Sequence, residues 1–118
     1  MTSVAEPLIQ ASLLGEAIEH APVAVFVADE YGRYVAVNQA ACALLGYSRE
    51  ELLGLRVSDV ARYREAEAKW SELLRGGTLT GTSELTRKDG EVVDFSYIAG
   101  ATTVAGMPLF ISSGAAGR

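Results

Sequence analysis

His20 and Cys42 are the single imidazole and the single thiol of the chain, and each bounds a class of chemistry. One thiol excludes an intramolecular disulfide, and one imidazole with one thiol cannot build a Cys/His zinc cluster. A Ser-His-Asp relay would have to recruit His20, yet no serine stands in a G-x-S-x-G elbow. The acidic groups Glu50–Glu51 and Glu65–Glu67 are of the right type for acid–base catalysis. They stand at expected helix starts, however, where carboxylates answer the positive end of the helix dipole, and capping accounts for them. The glycines include no G-x-G pair, and neither Lys69 nor Lys88 follows a glycine, so the Rossmann fingerprint and the P-loop are both missing. These residues predict a domain without enzymatic activity.

The chain that carries them has 118 residues, 49% hydrophobic and 21% charged, which is the balance of one globular domain. Ten basic against 15 acidic residues give a net charge of −5, so the basic footprint of a nucleic-acid binder is missing. An acidic domain could still regulate an attached DNA-binding one. No apolar run approaches the ~18 residues a membrane span needs, and Met1–Gln10 lacks the basic start of a signal peptide. With a lone cysteine suited to a reducing compartment, the expectation is a cytoplasmic chain.

The elements follow from periodicity and punctuation. Residues 1–7 read as a small, polar leader ending at Pro7. Over 8–20, Ile9, Leu13, Leu14, Ala17 and Ile18 recur at three- and four-residue steps, predicting an amphipathic helix interrupted by Gly15 and closed by Pro22. Val23–Ala28 is β-branched and apolar throughout, a strand expected to be buried on both faces. Asp29-Glu-Tyr-Gly32 turns the chain into a second strand, Arg33–Val37. Asn38 is a natural N-cap for a helix ending at Gly46, and Ser48-Arg-Glu-Glu51 is a capping box for another that stops at Gly54. One helical turn is expected between Leu55 and Arg62, and a longer helix over Arg64–Arg75. Three strands follow: Thr80–Arg87, then Glu91–Ala99 after the Lys88-Asp-Gly90 hairpin signal, then Met107–Ser113 after a turn through Gly100–Gly106. Gly114–Arg118 reads as a tail. Two antiparallel groups separated by helices define an α+β fold, most simply one five-stranded antiparallel sheet with helices on one face.

Asp29-Glu-Tyr-Gly-Arg33 with Val37-Asn38, then Leu45-Gly-Tyr-Ser-Arg-Glu-Glu-Leu-Leu-Gly54, then Arg87-Lys-Asp-Gly90 together resemble the PAS domain. Each motif alone is turn and cap chemistry; their order and spacing carry the resemblance, which spans Glu16 to Ser113. It implies a sheet in 2-1-5-4-3 order over residues 21–113, with a pocket between sheet and helices, and a sensory or protein-interaction role in a bacterial-type signalling protein. It also implies an effector beyond the tail, such as a histidine kinase, a cyclase or a transcriptional domain.

The same resemblance leaves the cofactor unknown. In the LOV subgroup an Asn-Cys pair follows the G-Y-S-x-E-E helix; here Arg56 and Val57 stand in its place, so no cysteinyl–flavin adduct is expected. The asparagines that bond flavin in that subgroup align with Leu85 and Phe95, which cannot hydrogen-bond a ring edge. Haem in this family takes a histidine on the long helix, and Arg64–Arg75 carries none. His20 reads as a solvent-facing or helix-capping residue, and Cys42 as a small core residue. A haem- or flavin-binding sensor is therefore the weaker alternative.

What the resemblance leaves is an apolar pocket lined by Phe26, Ala28, Leu85, Phe95 and Tyr97 from strands and by Leu44, Val57, Val60, Trp70 and Leu74 from helices. Such a lining suits an aromatic acid, an acyl chain or another small apolar ligand, though the same side chains can simply fill a core. Arg62 and Tyr63 are the rim candidates for a ligand carboxylate, or else a solvated surface pair. Ile9, Leu13, Leu14 and Ile18 are the expected interface of a homodimer, because in this family the N-terminal helix packs on the open sheet face or on a partner's helix. A ligand-free dimerisation module is the alternative function.

Overall fold

The computed structural model describes residues 5–61 and 77–117. Helix α1 (Ala5–Glu19) leads into β1 (Ala24–Asp29) and β2 (Tyr34–Val37); α2 (Gln39–Leu45), α3 (Arg49–Leu52) and α4 (Val57–Val60) follow, then β3 (Thr78–Thr86), β4 (Val92–Val104) and β5 (Met107–Ala116). The strands form one antiparallel sheet in the order β2-β1-β5-β4-β3. The first and last strands of the chain thus meet in the middle, and the helices span the gap between its two halves. The helix expected over 64–75, with Arg62, Tyr63, Trp70 and Leu74, lies outside the described residues.

Local chemistry sets the helix ends. Asn38 has extended backbone and its side chain accepts from the Ala41 amide, while Gly46 closes α2 at φ 77°, a left-handed stop that glycine takes without strain. The Ser48–Glu51 capping box is formed in both directions. Helix α1 starts at Ala5 rather than after Pro7. A proline in the first turn is tolerated because its missing amide hydrogen would have no intrahelical partner there.

Expectations for the strands also need correction. β1 buries Ala24, Phe26 and Ala28 on one face only; Val25 and Val27 on the other are half-buried, since only the last turns of α1 reach over them. Gly100 does not end β4, which continues through Ala101 and the β-favouring Thr102-Thr-Val104 and pairs Val104 with Met107. The turn is two residues, Ala105 (φ 51°) and Gly106 (φ 80°), not the longer segment from Gly100. β5 also runs three residues past Ser113, pairing Gly114, Ala115 and Ala116 with Tyr97, Ser96 and Phe95.

The core lies on the helix side of the sheet. Phe26, Val37, Leu85 and Phe95 from strands meet Ala41, Leu45, Leu52 and Val60 from helices, the last four at 0 or 1% exposure. Burial of an aliphatic or phenyl side chain of this kind stabilises by roughly 1.5–3 kcal/mol.

Candidate ligand-binding site

Strand parity decides which side chains face the helices. On β4, Phe95 and Ala99 are buried and Tyr97 is half-buried, while Asp94 and Ser96 are exposed. Cross-strand register then writes the sheet's inner face row by row: Ala24–Gly114–Tyr97–Gly81, Phe26–Ser112–Ala99–Leu79, and Ala28–Phe110–Ala101. Glycine, alanine and serine fill most positions between the rings, with Leu79 at the β3 end of the second row. Ser83, opposite Phe95, is 8% exposed and adds a hydroxyl among apolar groups.

The aromatic rings form a connected series. Phe26 meets Tyr34 at 5.5 Å between centroids and Phe95 edge-on at 5.7 Å, and Phe95 stacks on Tyr97 at 6.0 Å. Such pairs prefer offset or edge geometry and add about 0.5–1.5 kcal/mol beyond area burial. Of the expected lining, Phe26, Ala28, Val60, Leu85 and Phe95 are buried in one cluster, with Leu44, Val57 and Tyr97 packed against it. The sequence reading passed over Ser83, Ser112 and Gly114. Once the strands are assigned, the two-residue alternation of β5 is enough to find Ser112 and Gly114.

Hydrogen bonds fasten the loops, and Tyr47 and Leu55 pack against the core beside them. Asp29 Oδ1 accepts from the amides of Tyr31 and Arg33 at 2.9 and 3.0 Å, and Oδ2 meets Arg33 Nε at 2.9 Å. Burial pushes the Asp29 carboxyl upward, but those amides and the guanidinium outweigh it and hold it below its usual 3.8. The Val57 amide bonds Gly32 O and the Tyr34 amide bonds Leu55 O, which seats the α3–α4 link on the same turn. At the other hairpin, the Arg87 guanidinium donates to Leu44 O and the Lys88 amide to Leu45 O, closing the C-terminal end of α2. Burial, with Asp59 adding to it, raises the Tyr34 hydroxyl far above its ordinary range, so it stays protonated.

Chemically the site offers apolar surface, rings and a few hydroxyls. Burial, only partly offset by Arg49, raises the Cys42 thiol, which is the reverse of what a nucleophile needs. His20 is exposed beyond the end of α1, with Nδ1 3.4 Å from Gln39 Oε1. Among the described residues no three His, Cys, Asp or Glu side chains cluster to hold a metal, and no helix is long and apolar enough to cross a membrane.

This strand order with helices on one face, floored by small and aromatic residues, is the architecture the sequence motifs pointed to. Residues 22–111 match the family model described as a PAS domain, and the chain belongs to that family. The structure resembles the PAS domain of an HTR-like protein from Haloarcula marismortui, with TM-score 0.81 and 21% identity over 93% of both chains. It is similar to a PAS domain from a two-component sensor histidine kinase, with TM-score 0.84 and 18% identity over 95% of this chain and 100% of that one. A domain of a sensory box sensor histidine kinase/response regulator from Geobacter sulfurreducens is 26% identical, with TM-score 0.75, over 92% of this chain and 97% of that one. No curated protein sequence matches the chain.

Proposed function

We propose that this PAS domain is the sensing piece of a cytoplasmic, bacterial-type signal-transduction protein. It takes a small apolar or aromatic molecule between the inner face of the sheet and the helices, and it performs no catalysis itself. The observation that carries the reading is the inner face, where the rings of Phe26, Phe95 and Tyr97 stand beside glycine, alanine and serine positions, with Leu79 and Leu85 on the β3 edge. Rings offer flat apolar contact, and the Ser83 and Ser112 hydroxyls are the nearby groups able to orient a polar end. The Leu85 and Phe95 side chains at the flavin-bonding positions are buried and apolar, which favours a colourless ligand over a flavin. The likeness to domains taken from sensor histidine kinases supports a histidine-kinase effector on the same polypeptide.

Native mass spectrometry of the purified protein tests this. A retained small molecule, released on denaturation from a preparation without visible absorbance, is the expected result. Protein that carries no added mass, also after incubation with a panel of aromatic acids and fatty acids, would overturn the ligand reading. The alternative of a ligand-free dimerisation module is favoured by one specific feature, the bare apolar side chains of α1, where Leu8 is 72% and Leu14 is 62% exposed.

A further inference from the structure

Asn38 does more than cap α2. It is 2% exposed, and its carboxamide is fully engaged. Oδ1 accepts from the amides of Val25 and Ala41 at 2.9 and 3.0 Å, and Nδ2 donates to the carbonyls of Ile18 and Val23 at 2.7 and 2.9 Å. Two acceptances and two donations are all that an amide side chain supplies in such a setting. Ile18 O belongs to the last turn of α1, whose carbonyls have no partner within the helix. One buried side chain thus ties the end of α1, the entry to β1 and the start of α2 to a single point.

Arg49 makes the second tie. Its Nη2 lies 2.6 and 2.7 Å from the two carboxylate oxygens of Glu19, while Nε donates to Val37 O at 3.2 Å. The guanidinium therefore spans from β2 and α3 to the final residue of α1. Beyond this joint the helix is barely supported. Gly15, Ile18 and Glu19 border a cleft of about 190 Å³ against Val25, Val27, Ala36 and Val37, and a Cβ built on Gly15 would meet nothing within 4 Å.

We infer that Asn38 and Arg49 form a polar joint that sets the angle of α1 and couples it to α2 and α3. These two helices bury Ala41, Leu45 and Leu52 in the core, so a shift that begins on the ligand side reaches α1 through the joint. At 1.5 Å per residue α1 is about 22 Å long, and a tilt of about 10° at its base moves the far end by about 4 Å. Asn38 supplies the anchorage, and Arg49 is a positioning residue that selects the angle. The open cleft leaves the helix room to turn.

Backbone hydrogen exchange on the full chain, read by mass spectrometry without ligand, tests the joint separately from the ligand reading. Arg49→Gln and Glu19→Gln each speed exchange in the last two turns of α1 by about two- to fivefold, the range of a partly exposed, well-formed ion pair. The double variant shows no more than the Arg49→Gln effect, because Glu19→Gln removes only the ion pair that Arg49→Gln already removes. Leu52→Val, which loosens α3 from the core side, speeds α1 exchange in the parent protein and adds nothing in the Arg49→Gln protein. Amides of β1 and β5 hold their rates in the Arg49 and Glu19 variants. Unchanged α1 exchange in Arg49→Gln, or an equal acceleration across α1 and the central strands, would overturn the proposal.

Discussion

Asp29 shows how one side chain can hold a turn and make it sensitive to acid. Its carboxylate gathers two backbone amides and the Arg33 guanidinium, and its carboxyl is held below the usual 3.8. A lowered folded value means that the carboxylate stabilises the fold in full above about pH 5 and loses that contribution as pH falls through 4 toward the folded value. Asp29→Asn keeps an acceptor for the amides but loses the charge, so it lowers stability near neutrality by roughly 0.5–1 kcal/mol. Thermal unfolding followed from pH 7 to pH 2.5 checks this: the gap between variant and parent narrows below pH 4. A gap constant over that range would remove the charge from the account. The Asp-Glu-Tyr-Gly-Arg segment announced this turn in the sequence, since its bonds are local. Asn38 was legible only in its local role. Its bond to Ala41 is three residues away, whereas those to Ile18, Val23 and Val25 depend on a chain path that no spacing encodes.

At the scale of elements, the β4–β5 hairpin shows where punctuation misleads. Gly100 looked like a break, but a glycine inside an antiparallel pair only weakens a strand, and Gly100 stays paired with Ile111 and Thr78. The signal that counted was Ala105-Gly106. A two-residue turn between right-twisted strands needs positive φ at both positions, which alanine adopts under strain and asparagine tolerates better. Ala105→Asn should therefore stabilise by about 0.5–1 kcal/mol and raise the melting temperature by roughly 2–5 °C in differential scanning calorimetry. An unchanged or lower melting temperature would count against the strained turn. The segment that composition marked as a loose tail has the opposite character. A Cβ on Gly114 would lie 1.9 Å from Ser96 O, so the strands meet more closely there than any larger residue allows. Gly114→Ala forces β4 and β5 apart and costs about 1–3 kcal/mol, the range of overpacked sites. In urea titrations that check this, Ala115→Val, one residue on and facing out, stays within about 0.5 kcal/mol of the parent.

For the whole molecule the question is what covers α1. At about 100° per residue, Gly15, Ile18 and Glu19 face the sheet, while Ile9 and Leu13 lie on the side turned away and Leu14 lies between. Ile9, Leu13 and Leu14 are 54, 60 and 62% exposed, and on the outer sheet face Ile98 and Ile111 are 58 and 39% exposed. A helix of 15 residues with a central glycine is marginal by itself, and a monomer leaves this apolar surface in water. A second copy would answer both problems, because each helix could lie on the other's outer sheet face or along the other helix. The sequence spacing exposed the apolar positions but not which of them the sheet would claim, since that depends on the Asn38 and Arg49 bonds at the far end of α1. Light scattering should return twice the 12.5 kDa chain mass for the parent protein and the single mass for Leu14→Asp, whose core and circular dichroism stay intact. A dimer that survives Leu14→Asp removes α1 from the interface, and a parent protein that is monomeric at high concentration removes the dimer.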